Sequence, residues 1–266
     1  MNEEFRKFFP QSTYIPILRD VQTNRYWFNE NLLKTEIAGK TYSVAKAVID
    51  IINKYVKTKQ SAFEAFIQTC DRLKKIRKAS HAVAEEFILN LLAPNVDARV
   101  FEIISYAILK HYYHDQTVYF GFDLDSIQKE NLKLFKTGRT NANDGGIDFV
   151  MRPLGRFFQV TETLDVRKYF LDIDKIERYP ISFVIKSTET IEALRQRLKD
   201  GAERQYAVKS IVRRYMSCIE EIINIPTLKD RFNEVIRGGY LPQILEEIIR
   251  QSKIEFNYED SGENVL

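Results

Sequence analysis

The chain has 266 residues, with 40 lysines and arginines against 37 aspartates and glutamates, so its formal net charge is only +3. This length can bury a full core, as one large domain or two small ones, and the mild charge excludes an overall polycation of the histone kind. Two cysteines, Cys70 and Cys218, are too few for a disulfide framework or a zinc site. No apolar run approaches the roughly 20 residues of a membrane span. We therefore expect a soluble, cytoplasmic protein without a membrane partner.

The first third of the chain is predicted to be mostly helical. Residues 1–35 are irregular and aromatic, and we expect an arm or a short hairpin there. From Ser43 to Pro94 the apolar residues recur at helical spacing. We assign 1–94 to an N-terminal region that serves DNA recognition or dimerisation. Its basic run makes Lys74 and Lys75 candidate DNA contacts, the alternative being a solvated helix face.

Residues 95–190 combine helical and strand patterns and are predicted to form the core. Apolar spacing over 99–109 favours a helix, with Asn95 or Asp97 as its N-cap. Strands are expected over 117–122 and 181–185. The C-terminal region 191–266 is predicted to hold helices over 191–198, 202–223, 228–236 and 242–252. The fold class is therefore α+β, with a mixed-sheet core flanked by helical N- and C-terminal regions.

Inside this core, residues 147–162 predict a β-hairpin with a carboxylate in its first strand. Asp148 lies in a run apolar enough to be mostly buried. A buried carboxylate needs a partner, and a cation is one. The turn signal at 153–155 would place Asp148 opposite Thr161 in the second strand.

In that register Asp148, Gln159 and Thr161 share one face of the sheet, because side chains alternate along a strand. A hard divalent cation prefers oxygen ligands, which the Asp148 carboxylate, the Gln159 side-chain carbonyl and the Val160 backbone carbonyl would supply. We expect this cation to be Mg²⁺. Glu162 points away unless a bulge intervenes, and a salt bridge or a strand cap is the favoured role for it.

The segment 145–148, Gly-Gly-Ile-Asp, followed by a short hairpin and Gln159-Val160, resembles the PD-(D/E)xK nuclease superfamily. The resemblance is to the Gln-x-Lys form found in type II and Mrr-like restriction endonucleases, and in detail to the ApaLI-like group. It covers residues 95–190 and implies a restriction-endonuclease-like core. Phe101-Glu102 resembles the pair that an upstream helix contributes in this family. The resemblance implies that Glu102 binds metal or water, that Asp148 is the central metal ligand, and that Gln159 replaces the usual glutamate.

The sequence departs from the family at position 161, where threonine stands in place of the expected lysine. Threonine cannot polarise a phosphate as an ammonium would. Lys186 is our first candidate for this role, and Lys168 is the second. The Lys186 ammonium would have to reach the face shared by Asp148 and Gln159. If a second metal ion takes the role instead, Glu162 or Asp144 is its expected ligand.

Two further groups of polar residues are candidates for binding DNA or a metal. The loop before the hairpin offers candidate DNA contacts, which are Arg139, Thr140, Asn141 and Asn143; for Arg139 the alternative is an ion pair with Asp144. His111 and His114 have the helical spacing of a transition-metal pair, although a surface or packing role is favoured.

Together these features predict a type II restriction endonuclease, which hydrolyses phosphodiester bonds of double-stranded DNA with Mg²⁺. Cutting both strands of a palindromic site implies a homodimer, and a restriction system implies a cognate DNA methyltransferase. The alternatives are an Mrr-like or repair nuclease that acts on modified or mismatched DNA, and a DNA-binding protein with a decayed catalytic centre. Thr161 is the main support for the last of these.

Overall fold

The computed structural model describes residues 2–75, 81–138, 147–256 and 258. The chain divides into two compact units, Met1–Phe66 and Ile67–Leu266. This division rests on contacts between residues and does not test the boundaries expected at 94 and 190, so those boundaries remain predictions. None of the helices in the described ranges is long and apolar enough to cross a membrane.

The first unit consists of short elements that precede a long helix. An arm or a short hairpin was expected over residues 1–35, and the hairpin is found there as Ile17–Asp20 with Arg25–Phe28; a second antiparallel hairpin, Lys34–Ile37 with Lys40–Ser43, follows it. In the second hairpin, Ala38 and Gly39 have φ angles of 51° and 73°, as a two-residue turn with the right-handed strand twist requires. The elements are α1 (Asn2–Phe8), β1 (Ile17–Asp20), β2 (Arg25–Phe28), a 3-10 turn (Glu30–Leu33), β3 (Lys34–Ile37), β4 (Lys40–Ser43) and the first part of α2 (Ala45–Lys74).

The second unit contains the mixed sheet and most of the helices. Its helices are α3 (His81–Asn90), α4 (Ala98–His114), α5 (Val166–Lys175), α6 (Ile191–Gln205), α7 (Lys209–Cys218), α8 (Ile225–Arg237) and α9 (Leu241–Glu255). Its strands are β5 (Thr117–Phe120), β6 (Gln128–Asn131), β7 (Lys133–Lys136), β8 (Phe149–Arg152), β9 (Arg156–Thr161), β10 (Ile181–Ile185) and β11 (Ile219–Ile223). These elements confirm the predicted α+β class with a helical majority.

Five strands form the central sheet in the order β11-β10-β9-β8-β7. The pairs β7-β8 and β8-β9 are antiparallel, whereas β9-β10 and β10-β11 are parallel. Helix α5 makes the crossover between the parallel strands β9 and β10, and α6 with α7 makes the next one. The sheet is therefore mixed, as predicted.

Helices cover both faces of this sheet. On one face, α4 packs against β7, α8 and α9, and its Tyr106 ring lies 5.2 Å from Phe149. On the other face, α5, α6 and α7 bury an apolar cluster that includes Phe183 of β10. The ring of Tyr169 lies 4.4 Å from Phe183. The terms α4 side and α5 side are used below for these two faces.

Two secondary-structure predictions need correction. The helices expected over 191–198 and 202–223 are α6 (Ile191–Gln205) and α7 (Lys209–Cys218), and Ile219–Ile223 is instead the edge strand β11. This run contains three isoleucines, which favour a strand once β10 offers a parallel partner. The strand expected over 117–122 exists as β5, but it pairs with β6 in a separate two-stranded sheet.

Candidate functional site

One edge of the central sheet gathers the predicted site residues that the structure describes. Strand β7 ends at Lys136, β9 ends at Thr161 and β10 ends at Ile185, while β8 begins next to Asp148. Because β8 is antiparallel to β7 and β9, its start lies at the same edge as the ends of the other strands. Residues that are far apart in sequence therefore meet at this edge.

Hydrogen bonds with Thr137, Phe158 and Val160 fix Asp148 at the start of β8. Its backbone N–H donates to the Phe158 carbonyl (3.0 Å), and its own carbonyl accepts from the Thr137 N–H (2.9 Å). Its carboxylate Oδ2 accepts the Val160 N–H at 2.6 Å. Phe158 and Val160 flank Gln159, so Asp148 lies opposite Gln159.

The expected pairing of Asp148 with Thr161 is therefore wrong by two residues. Met151 pairs with Arg156, so the turn takes up more residues than the 153–155 signal implies. An even shift preserves the alternation of side chains. Gln159 and Thr161 thus still share one face, and Asp148 still lies opposite a residue of that face.

Gln159 is buried, with 7% of its surface exposed, and it faces the α5 side opposite Phe183. Its Nε2 donates weakly to the Val160 carbonyl at 3.4 Å. Its side-chain carbonyl Oε1 is buried and has no hydrogen-bond partner among the described atoms. A buried polar oxygen without a partner costs about 1–3 kcal/mol, so this atom marks a place for a cation or a water.

Glu102 turns inward from α4, as predicted, although its sequence neighbours are apolar. Asp97 caps the helix, because its side chain accepts the Arg99 N–H at 3.0 Å. The Glu102 side chain is 5% exposed, and its Oε1 lies 2.9 Å from the Nζ of Lys136. This carboxylate lies with Lys136 on the α4 side, whereas Gln159 faces the α5 side, so the role of Glu102 as a metal ligand remains a prediction.

Lys136 and Glu255 were not identified from the sequence. The Lys136 ammonium also lies 3.5 Å from Oε2 of Glu255, the last residue of α9. The side chains of Lys136 and Glu255 are 7% and 4% exposed. A lysine at the end of an amphipathic strand is usually solvated, so the sequence does not indicate that Lys136 is buried. Glu255 lies 119 positions away, and no local sequence pattern could predict its contact with Lys136.

Lys186 lies beside the position where the family would have its lysine. Its backbone N–H donates to the Thr161 carbonyl at 2.9 Å. Its ammonium donates to the Val96 carbonyl and to the Glu162 carboxylate, and it lies 6.0 Å from the centre of the Phe101 ring. The salt bridge expected for Glu162 is confirmed.

The structure corrects the face that was expected for Lys186. Ile185 pairs with Thr161 on the α5 side, so alternation sends Lys186 to the α4 side, where Val96 and Phe101 lie. The ammonium therefore belongs with Glu102 and Lys136 and does not share the face of Gln159. Lys168 is exposed on α5.

Only some of the residues predicted to contact DNA lie within the described part of the chain. Residues 139–146, which include Arg139, Thr140, Asn141, Asn143 and Asp144, lie outside the described residues. Lys74 lies 3.3 Å from Glu246 of α9, and Lys75 is exposed at the end of α2. Basic residues of the C-terminal region are exposed on α6 and α7; they are Arg195, Arg197, Lys199, Arg204, Lys209, Arg213 and Arg214.

The histidine pair contributes to packing. The His111 ring stacks on Tyr240 at 5.7 Å, and the Nδ1 of His114 lies 3.0 Å from Asp115. Burial, together with the charge of Lys110, holds the pKa of His111 below its ordinary value, so this ring is neutral at pH 7. Within the described ranges, no group of three or more His, Cys, Asp or Glu side chains is placed to hold a metal ion.

Comparison with known proteins found no family model, no characterised protein and no solved structure that matches this chain.

Proposed function

We propose that this chain is a type II restriction endonuclease that hydrolyses double-stranded DNA with the help of Mg²⁺. The observation that carries the proposal is the Oε1 of Gln159, which is buried and has no hydrogen-bond partner among the described residues, opposite the Asp148 carboxylate. Two oxygen donors at neighbouring strands, one of them without a partner in the described part of the chain, suit a hard cation. The restriction-endonuclease-like core belongs to the same proposal and is supported by the mixed sheet with helices on both faces.

The donor set fits this cation in its chemistry. Asp148 would supply a carboxylate, Gln159 and Val160 would supply carbonyl oxygens, and Glu102 would supply a second carboxylate from the α4 side of the same edge. When bound, Mg²⁺ would lower the pKa of a water and offset negative charge on the phosphate.

The protein's own groups orient this chemistry. The Val160 N–H holds the Asp148 carboxylate in one position at 2.6 Å, which reduces the reorganisation needed on binding. Lys186 brings an ammonium to the same edge and is held there by Val96 and Glu162. We assign Lys186 the role of the missing lysine from the α4 side of this edge, not from the face of Gln159; the role is to offset charge that develops on the phosphate.

The proposed function implies three partners for the chain. Double-stranded DNA is the substrate, and the exposed basic residues of α6 and α7, together with Lys74 and Lys75, are the proposed phosphate contacts. Cleavage of both strands requires two centres related by a twofold axis, hence a homodimer. A cognate DNA methyltransferase would protect the host sites.

The test is digestion of an unmethylated plasmid of known sequence with Mg²⁺, followed by run-off sequencing of the ends. We expect cuts at one short sequence. Cutting only of methylated or mismatched DNA would replace the proposal with the modified-DNA or repair alternative. The Asp148→Asn variant must fail to cut under the same conditions.

A DNA-binding protein without catalytic activity is the second candidate. It is favoured by Thr161 in place of lysine and by the engagement of the Glu102 carboxylate with Lys136. In that case the chain would bind DNA equally well with and without divalent cations, and it would cut in neither Mg²⁺ nor Mn²⁺.

A further inference from the structure

Lys136 lies between two buried carboxylates at unequal distances. Its ammonium is 2.9 Å from Glu102 and 3.5 Å from Glu255, and all three side chains are at most 7% exposed. In this arrangement Glu102, which is the proposed helix ligand of the metal, already has a cation as partner. A divalent cation at Glu102 must therefore meet a competing ammonium.

The Glu255 carboxylate can serve as a second partner for the Lys136 ammonium. An ammonium expelled from Glu102 into a buried site without a partner would cost several kcal/mol. Glu255 is near enough to accept it through a rotation of the lysine side chain, without movement of β7. The end of α9 is held close to the start of α4, since the Arg99 guanidinium lies 4.9 Å from the Phe256 ring.

From this geometry we infer that Lys136 is an exchange cation, which passes from Glu102 to Glu255 when a divalent cation binds at Glu102. The inference rests on the proposed function, because that function supplies the metal. It makes Glu255 a positioning residue for metal binding from outside the predicted nuclease core. Removal of Glu255 should therefore weaken metal binding, since Lys136 would then hold Glu102 or be left buried without a partner.

Calcium and magnesium titrations of the full chain by calorimetry test this inference. Glu255→Gln should weaken metal binding roughly tenfold, which is typical when a residue that supports a metal ligand is removed. Glu246→Gln is the matched control, because it removes an equal charge from an exposed, ion-paired position of the same helix. The double variant Lys136→Met/Glu255→Gln lacks the competing ammonium and should regain wild-type affinity. Circular dichroism checks that each variant is folded.

A second readout follows Lys136 itself. The NMR signal of its ammonium, assigned with Lys136→Met, should shift when Ca²⁺ is added to the wild type. An unshifted signal, or a Glu255→Gln variant that binds metal as tightly as Glu246→Gln, would overturn the exchange and leave the nuclease proposal standing if the wild type still cuts DNA. A wild-type chain that binds neither cation would overturn both.

Discussion

Asp148 is the residue on which the proposed chemistry depends most directly. Its carboxylate oxygen accepts the Val160 N–H, and its backbone joins β7 to β9. The residue therefore has a structural and a proposed catalytic role. A substitution must separate the two.

Asp148→Asn makes that separation, because the amide oxygen can still accept the Val160 N–H while the charge for metal binding is lost. We expect cleavage in Mg²⁺ to fall below a few percent of wild type, with specific binding in Ca²⁺ and the thermal unfolding midpoint little changed. The control is Asp125→Asn on an exposed turn. Wild-type cleavage by Asp148→Asn would remove this residue from the centre.

The role assigned to Lys186 is tested by Lys186→Met. Loss of one donor that acts in the transition state costs about 2.7–4 kcal/mol in the chemical step, whereas substrate binding should change little. Lys168→Met, at an exposed position of α5, tests the second candidate in the same way and should leave cleavage unchanged. Partial rescue by Thr161→Lys in the Lys186→Met background would show that both positions serve one phosphate. An unimpaired Lys186→Met variant would move the role to Lys136.

The sequence could predict the residues whose environment follows from local pattern. Glu102 on an apolar helix, Asp148 in an apolar strand and the salt bridge of Glu162 are of this kind. Lys136 and Glu255 were missed because their burial depends on the packing of α9 against α4. The face of Lys186 was missed because it depends on the parallel register of β9 and β10.

At the scale of elements, the helices were predicted better than the strands that follow them. Helix α4 was predicted because its apolar spacing and its Asp97 cap are both local signals. The strand β11 was missed because Ile219–Ile223 continues the apolar pattern of α7, and only the exposed edge of β10 makes it a strand. Whether such an apolar segment forms a helix or a strand depends more on a neighbouring strand that can pair with it than on its local propensity.

A buried carboxylate links α4 to α9. Glu247 lies 2.8 Å from Lys110 of α4, and Arg250 and Gln251 donate to it at 2.6 Å and 2.7 Å. Burial raises the pKa of Glu247, but the hydrogen bonds from Arg250, Lys110 and Gln251 outweigh it and hold the pKa below its ordinary value. A lowered pKa in the folded state means that the carboxylate stabilises the fold at neutral pH.

Glu247→Gln should therefore lower the free energy of unfolding at pH 7 by about 1–3 kcal/mol, because hydrogen bonds to a charged group are lost. The difference from wild type should shrink as the pH falls below 4.5, the ordinary glutamate pKa at which the unfolded chain begins to gain the proton, and then through the lower pKa of the folded state. Urea titrations at pH 7 and at pH 3.5 measure this. Glu246→Gln, which is exposed on the same helix, should stay close to wild type. An equal loss at both pH values would show that charge is not the cause.

At the scale of the whole molecule, the proposed substrate requires a positive surface that a net charge of +3 does not by itself provide. The exposed basic residues of α6 and α7 concentrate positive charge locally. A double variant, Arg213→Gln with Arg214→Gln, should weaken DNA binding in Ca²⁺ and reduce the salt slope of log K by about two, since each phosphate contact contributes roughly one. The salt slope of a second double variant, Lys199→Gln with Arg204→Gln on α6, provides the comparison. An unchanged salt slope would place α7 away from the DNA.

Cutting both strands of DNA at one site requires an assembly with two active centres. A single proposed centre can attack one strand in one orientation, so two copies related by a twofold axis are needed for a double-strand cut at a palindrome. Light scattering should therefore give twice the mass of one chain in the presence of Ca²⁺ and the cleaved sequence. Mixtures of wild type with excess Asp148→Asn test the catalytic consequence. Mixed dimers hold one active centre, so supercoiled plasmid should accumulate as nicked circles before it becomes linear. The homodimer would be contradicted if the chain had the mass of a monomer and the mixture produced linear DNA with no increase in nicked circles.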